Sequence, residues 1–322
     1  MTAKENNFSL DDRSMVITRL LMAPPEPAFD AWAGEEALAR WFGPSGFTIT
    51  TQKHEFRPGG VWRFVMHGPD GTDYQNIIRF EEIVRPKLIV YRHGTPEGDP
   101  TQDFQTTVTF ESIGDRTLLT LRAVFPSAEA RDLVVREHRA IEGGQQSLAR
   151  LDAHLGNGRS ASTDFTIERS FNAPRELVWK AHTEAERLAK WWGPKGFEMV
   201  SCRVDLRPGG LFHYGMRAPN GVEMWGRFVY CEVTPQTRLA YVVSFSNKEG
   251  GITRHFMSES WPLEVMSLMI LEDTGGQTKM TLRGWPINAP PEEIATYAAA
   301  KPMMEHGFKG TLDQLDAYLA TA

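Results

Sequence analysis

The feature that most limits this chain is its own repetition. Residues 38–47 read LARWFGPSGF and residues 188–197 read LAKWWGPKGF, identical at seven of ten positions at an offset of 150. The same offset carries RPGG at 57–60 onto RPGG at 207–210, Met66 onto Met216, and PDG at 69–71 onto PNG at 219–221. Toward the ends, TLR at 120–122 answers TLR at 281–283, and LDAHL at 151–155 answers LDAYL at 315–319. Solenoid units are roughly 20–45 residues long, so a period of this size means two copies of one domain. The 322 residues suffice for two, at about 150 residues each. The expected layout is a tail over 1–14, a first domain over 15–155, a linker over 156–163 and a second domain over 164–322. The linker reads GNGRSAST, small and polar as a flexible joint should be.

Each copy presents the same order of local signals. An opening strand (15–22; 164–171) precedes a proline-led helix (24–33; 174–182), proline suiting the first turn, where its missing N–H is no loss. A second short helix carries WFGP or WWGP and ends at the Gly-Pro pair; Thr183 and Glu186 have capping-box spacing at the start of the second copy's version. Six strand-like runs follow, divided by PGG, PDG and PNG turns, and a long amphipathic helix closes each copy, over 127–155 and 292–319. Pro302 falls inside the second of these and predicts a break, with the continuous helix starting near it. The order β-α-α-β6-α predicts an α+β fold, a curved antiparallel sheet wrapped around a helix.

Strand parity selects the inward residues. Trp62, Phe64 and Met66 share one face of their run, and Phe212, Tyr214 and Met216 share the matching face in the second copy. A curved sheet around one helix need not fill its interior, so these side chains either pack as core or line a cavity for a small apolar ligand. Tyr74, Trp225, Trp41 and Trp191 join them as cavity candidates. The two cysteines, Cys202 and Cys231, fall on the second and fourth strands of copy two, too far apart to bond.

With the paired Trp-Gly-Pro elements, the RPGG turns and the terminal L-D-x-x-L helices in view, each copy resembles the C-terminal domain of the Hsp90 ATPase activator family. That family is part of the START/Bet v 1-like, polyketide cyclase-like SRPBCC superfamily. The resemblance implies two tandem helix-grip domains, each with a seven-stranded antiparallel curved sheet around a long C-terminal helix. Such domains often carry Gly-Trp in that helix; here Gly143-Gly144 and Gly307-Phe308 stand at the matching places. Loss of the aromatic at Gly144 predicts extra space in the first domain. The second copy also holds about 12 additional residues within 246–262, including Arg254, His255, Phe256 and Trp261, an amphipathic set suited to covering a cavity mouth.

Composition narrows the function classes. The net charge is −6, from 35 basic and 41 acidic residues, and neither half is basic, so a nucleic-acid partner is not expected. No apolar run reaches the ~18 residues of a membrane span, the N-terminus has no apolar signal core, and two cysteines make no disulfide scaffold. A cytoplasmic protein is expected, without membrane insertion, cofactor or metal, and monomeric, its two copies mimicking a homodimer. GPSGF at 43–47 misses G-x-S-x-G at its last position, GNGRSA at 156–161 follows a helix instead of a strand, and His138 with Glu142 gives only two possible metal ligands. Three functions fit. The first is a binding protein for a small hydrophobic ligand, using the cavity candidates above with His255 and Trp261 as a lid. The alternatives implied by the resemblance are an Hsp90 co-chaperone-like activator of ATPase, or a polyketide cyclase- or hydratase-like enzyme, a lyase or isomerase.

Overall fold

The computed structural model describes residues 12–99, 103–137, 139–156, 164–256 and 258–322. Most of the expected tail and linker, and His138 of the His138–Glu142 pair, lie outside the described residues. The chain separates into two compact units, one on either side of the linker segment.

The first unit runs β1 (Ser14–Leu21), α1 (Pro25–Ala33), α2 (Glu35–Trp41), β2 (Thr48–His54), β3 (Val61–His67), β4 (Asp73–Val84), β5 (Leu88–Gly94), β6 (Phe104–Ile113), β7 (Arg116–Val124), α3 (Ala128–Glu137) and α4 (Ala140–His154). The second repeats it as β8 (Phe165–Phe171), α5 (Arg175–Thr183), α6 (Ala185–Trp191), β9 (Glu198–Val204), β10 (Leu211–Arg217), β11 (Glu223–Thr234), β12 (Arg238–Ser246), β13 (Val265–Asp273), β14 (Thr278–Pro286), α7 (Pro291–Ala299) and α8 (Lys301–Leu319). Each sheet has seven antiparallel strands, ordered β1-β7-β6-β5-β4-β3-β2 and β8-β14-β13-β12-β11-β10-β9. The first strand crosses to pair with the last, and the rest form a meander. This is the helix-grip arrangement.

The repeated motifs are the joints of this architecture. In RPGG the turn glycine takes a left-handed φ (74° at Gly59, 77° at Gly209), and the next has no room for a side chain, since a Cβ on Gly60 or Gly210 would fall 2.1 Å from a backbone oxygen. The turn then docks on β4 or β11 through paired backbone bonds, Gly59 N to Phe80 O (2.8 Å) and Gly209 N to Tyr230 O (2.7 Å). The Gly-Pro loops are clamped by the last helix. Arg150 donates to the carbonyls of Gly43, Pro44 and Phe47 at 2.9–3.1 Å, and Gln314 donates to that of Gly193 at 2.5 Å. GPSGF is thus a structural loop.

Buried Leu148 and Leu151 of α4, and Leu312 and Leu315 of α8, pack against the concave faces. Arginines of the first strands tie the same helices down: Arg19 to Asp152 (3.4 Å), and Arg169 to Asp316 and Asp313. Cys202 lies on β9 and Cys231 on β11, with β10 between them, and no disulfide joins the two.

Three local expectations need correction. The closing helix of the first domain is not continuous over 127–155: Arg139 is left-handed (φ 47°) and separates α3 from α4, and α3 buries no residue, so no core contact holds the two in line. Thr183 does not cap the helix after it. It is the last residue of α5 and donates to Trp179 O at 2.8 Å, while Glu184 takes the cap position without a side-chain bond. Gly144 does not open space, because a Cβ there would lie 2.3 Å from Cδ1 of Ile17, which already fills the gap. In the second domain the break comes at Ala300, between α7 and α8, with Pro302 in the first turn of the continuous helix.

Candidate functional site

In the second domain the concave side of the sheet and the two short helices enclose an apolar pocket. The strands supply Phe212, Phe228, Tyr230 and Tyr241; α5 and α6 supply His182 and Leu188, and Trp192 follows α6 directly. Its volume is about 20 Å³, room for about one water. The polar groups on its wall are neutral at physiological pH. Burial pushes the His182 imidazole down to about 4, and pushes the Tyr230 and Tyr241 phenols well above their ordinary value. Nδ1 of His182 is engaged with Val178 O at 2.8 Å. The Trp192 Nε1–H is buried and makes no hydrogen bond of full geometry; the Tyr214 phenol lies close enough for a loose contact with it.

Comparison of the two copies explains why the pocket exists. At the repeat offset, Trp32 and Phe42 of the first domain become His182 and Trp192. Trp32 is 4% exposed and packs against Trp41, Phe42, Tyr91 and Phe110, so in the first domain its indole occupies this space. The smaller imidazole of His182 leaves it partly empty, and the indole has moved across to position 192 with its N–H only loosely met by the Tyr214 phenol.

The cavity candidates from strand parity divide into several environments. Phe212 lines the pocket, and Tyr214 and Trp192 pack ring to ring beside it (5.9 Å). Burial pushes the Tyr214 phenol up to about 12. Met216 is buried under the Gly-Pro loop, its sulfur where a Gly193 side chain would be; Met66, partly buried, lies beneath Gly43 at ordinary contact distance. Trp62 and Phe64 stack at 4.0 Å inside the first core. Trp41 and Trp191 are core tryptophans whose N–H groups are satisfied by Ala31 O and Ala181 O (3.0 and 2.9 Å). Tyr74 is 47% exposed at the rim, near Phe47.

Trp225 is a correction. It pairs with Gly215 across the sheet and stacks on His213 (5.3 Å), which puts it on the convex face, away from any interior cavity. His255 and Trp261 line no part of the pocket. His255 stands over Phe245 and Trp261 over Tyr297 (4.6 and 5.5 Å), so the long loop packs against α7 at the open end of the sheet. Arg254 pairs with Glu293, and Thr296 donates to Ser260 at 3.0 Å, both fastening loop to helix. Phe308 stacks on Phe165 (5.4 Å) in the same satellite core.

The sequence does not place His182, Trp192, Tyr230 or Tyr241 among the cavity candidates; Trp192 reads there as packing under the sheet edge. The signal that could have found them is the exchange of aromatics at 32/182 and 42/192. Among the described residues no group of three or more His, Cys, Asp or Glu is gathered to hold a metal, and no helix is long and apolar enough to cross a membrane.

A family model described as Activator of Hsp90 ATPase homolog 1-like protein matches the chain twice, over residues 22–156 and 172–320. No curated protein matches it. Among solved structures, a protein from Arthrobacter aurescens is 27% identical over 46% of this chain and 89% of its own, with a TM-score of 0.43. A protein from Nitrosomonas europaea is 29% identical over 50% and 97%, with a TM-score of 0.41. The AHSA1 protein from Silicibacter pomeroyi is 19% identical over 49% and 97%, with a TM-score of 0.39.

Proposed function

We propose, from the premise that the chain belongs twice over to the Activator of Hsp90 ATPase homolog 1-like family, that its second domain binds a small, mainly apolar molecule bearing one hydrogen-bond acceptor. The observation that carries this reading is the buried Trp192 N–H of an apolar pocket, which makes no hydrogen bond of full geometry and only a loose contact with the Tyr214 phenol. A carbonyl oxygen would satisfy that donor, and the neutral His182, Tyr230 and Tyr241 surround the remainder of the molecule without requiring a charge. At about 20 Å³ the pocket is well below the ~300 Å³ of a typical ligand site, so uptake requires the part-exposed Trp192 ring to swing outward. Its position just past α6, before a Gly-Pro loop, leaves that ring without a helix to hold it. The alternative as an Hsp90 ATPase activator has the family's description behind it and no feature of this site.

The test uses residues the other copy already carries. Acetophenone and ethylbenzene differ chiefly in one acceptor oxygen, and tryptophan fluorescence reports either one. The full chain should bind acetophenone roughly tenfold more tightly than ethylbenzene, the worth of one buried hydrogen bond. Trp192→Phe should abolish that preference, and His182→Trp, which refills the space as in the first domain, should abolish binding of both. Equal binding by wild type and His182→Trp sinks the reading.

A further inference from the structure

We propose that the first domain holds a second and chemically different site, in which His93 Nδ1 and Thr106 Oγ1 take the hydroxyl of a small phenol-like molecule. It does not depend on the pocket of the second domain, and either can fail alone.

The placement follows from register. Phe64 pairs with Asn76, Ile78 with His93, His93 with Phe104 and Tyr91 with Thr106, so Asn76, His93 and Thr106 share the concave face on three adjacent strands. Asn76 fixes the state of the imidazole. Its Nδ2 donates to Tyr74 O at 2.8 Å, which leaves Oδ1 as the acceptor facing His93 Nε2 at 3.0 Å. Nε2 therefore carries the proton and Nδ1 keeps a lone pair, with Asn76 the ring's hydrogen-bond partner among the described residues. Burial holds this ring neutral, pushing it down to about 4. One strand over, Thr106 is 1% exposed, and its hydroxyl makes no hydrogen bond of full geometry and only a loose contact with the Tyr91 phenol opposite it. An acceptor and a loosely held hydroxyl at diagonal positions on one sheet face lie roughly 7–8 Å apart at their Cα atoms, a span that one bridging hydroxyl fits.

The surroundings are aromatic. Phe104 lies 5.0 Å and Phe64 6.3 Å from the imidazole centroid, and Phe125 stacks on Phe104 at 4.8 Å. A flat, apolar ring bearing one O–H group matches this wall. These residues sit at the end of the sheet where β7 runs into α3, and α3 buries no residue and leaves Leu133 53% exposed. That end of the first domain is thus more open than its counterpart, where Tyr297 of α7, Trp261 and Phe308 close in. The second copy keeps a hydroxyl at the place of Thr106, Ser267 opposite Tyr241, but has no imidazole or amide beside it. Register places Tyr214, Gly226 and Val243 at the sites of Phe64, Asn76 and His93, and the Tyr214 hydroxyl lies where a Gly226 side chain would begin.

The decisive measurement is 15N NMR of the histidine side chains of the full chain, with phenol and toluene as the matched probes. Phenol should move the Nδ1 resonance of His93, while toluene at the same concentration leaves it in place. Phenol should also bind roughly tenfold more tightly than toluene, and His93→Val, the residue of the second copy, should bring that ratio to about one. Thr106→Val should reduce it several-fold. An unmoved His93 Nδ1, or a ratio unchanged in His93→Val, overturns the proposal. Should either variant fail to fold, the wild-type resonance decides the matter on its own.

Discussion

A Cβ on Gly144 would fall 2.3 Å from Cδ1 of Ile17, a residue 3% exposed at the seam between β1 and α4. Glycine in a helix interior costs about 1 kcal/mol against alanine, so Gly144→Ala would stabilise an unobstructed helix. Here the overlap outweighs that gain, and a net loss of roughly 1–2 kcal/mol is expected from overpacking. Ile17→Val removes the obstructing methyl and by itself costs roughly 0.5–1.5 kcal/mol. The two together should be less damaging than their sum, a coupling readable from urea midpoints in a double-mutant cycle. Simple additivity would show that the gap is not shared. The same partnership explains what the sequence could not disclose. A missing aromatic at position 144 reads as empty space until the neighbouring strand is known to fill it. The exchange of Trp32 and Phe42 for His182 and Trp192 was, by contrast, written in the repeat and needed only a position-by-position comparison.

Among the elements, the strands and turns were legible because their signals are local. Alternation, a PGG turn and a PNG turn each act within a few residues, and a meander follows when sequential strands pair. Trp225 shows the limit. A shift of one residue moves a side chain to the opposite face, and the register counted back from the 218–222 turn puts it outside, opposite Gly215. An aromatic is tolerated on that face because the extra loop covers it, with His213 donating to Asn247 O (3.2 Å) and Arg227 to Gly250 O (2.7 Å). The loop's other anchor is Arg254, whose partner Glu293 is only 7% exposed. Arg254 itself is part-exposed, so the pair is worth about 1 kcal/mol, near the top of the range for such contacts. Arg254→Ala should therefore speed amide exchange roughly fivefold in the 247–262 loop and α7 while leaving β8–β14 protected. Uniform exchange across the domain would mean that the loop is not a separately fastened element.

At the scale of the whole molecule, duplication has produced two cores with the same frame and different polar inserts, and acid should expose the difference. Burial lowers two histidines in each domain: His93 and His182 are pushed down to about 4, and His54 and His255 are lowered as well. The unfolded chain takes up these protons near pH 6.5, whereas the native domains resist until about 4. In that window the unfolded state binds more protons, so stability is intact above about pH 6.5 and falls as the pH drops toward 4. Ion-paired carboxylates such as Glu168 with Lys279 are held below their ordinary range, so their losses come at lower pH and overlap little. His93→Val should flatten the acid slope of the first domain alone, and His182→Trp that of the second alone. Urea unfolding followed by residue-resolved NMR, at roughly pH 7, 5.5 and 4.5, separates the two. If a variant leaves the slope of its own domain unchanged, that imidazole is not held neutral, and the hydrogen-bonding role assigned to it here falls with it.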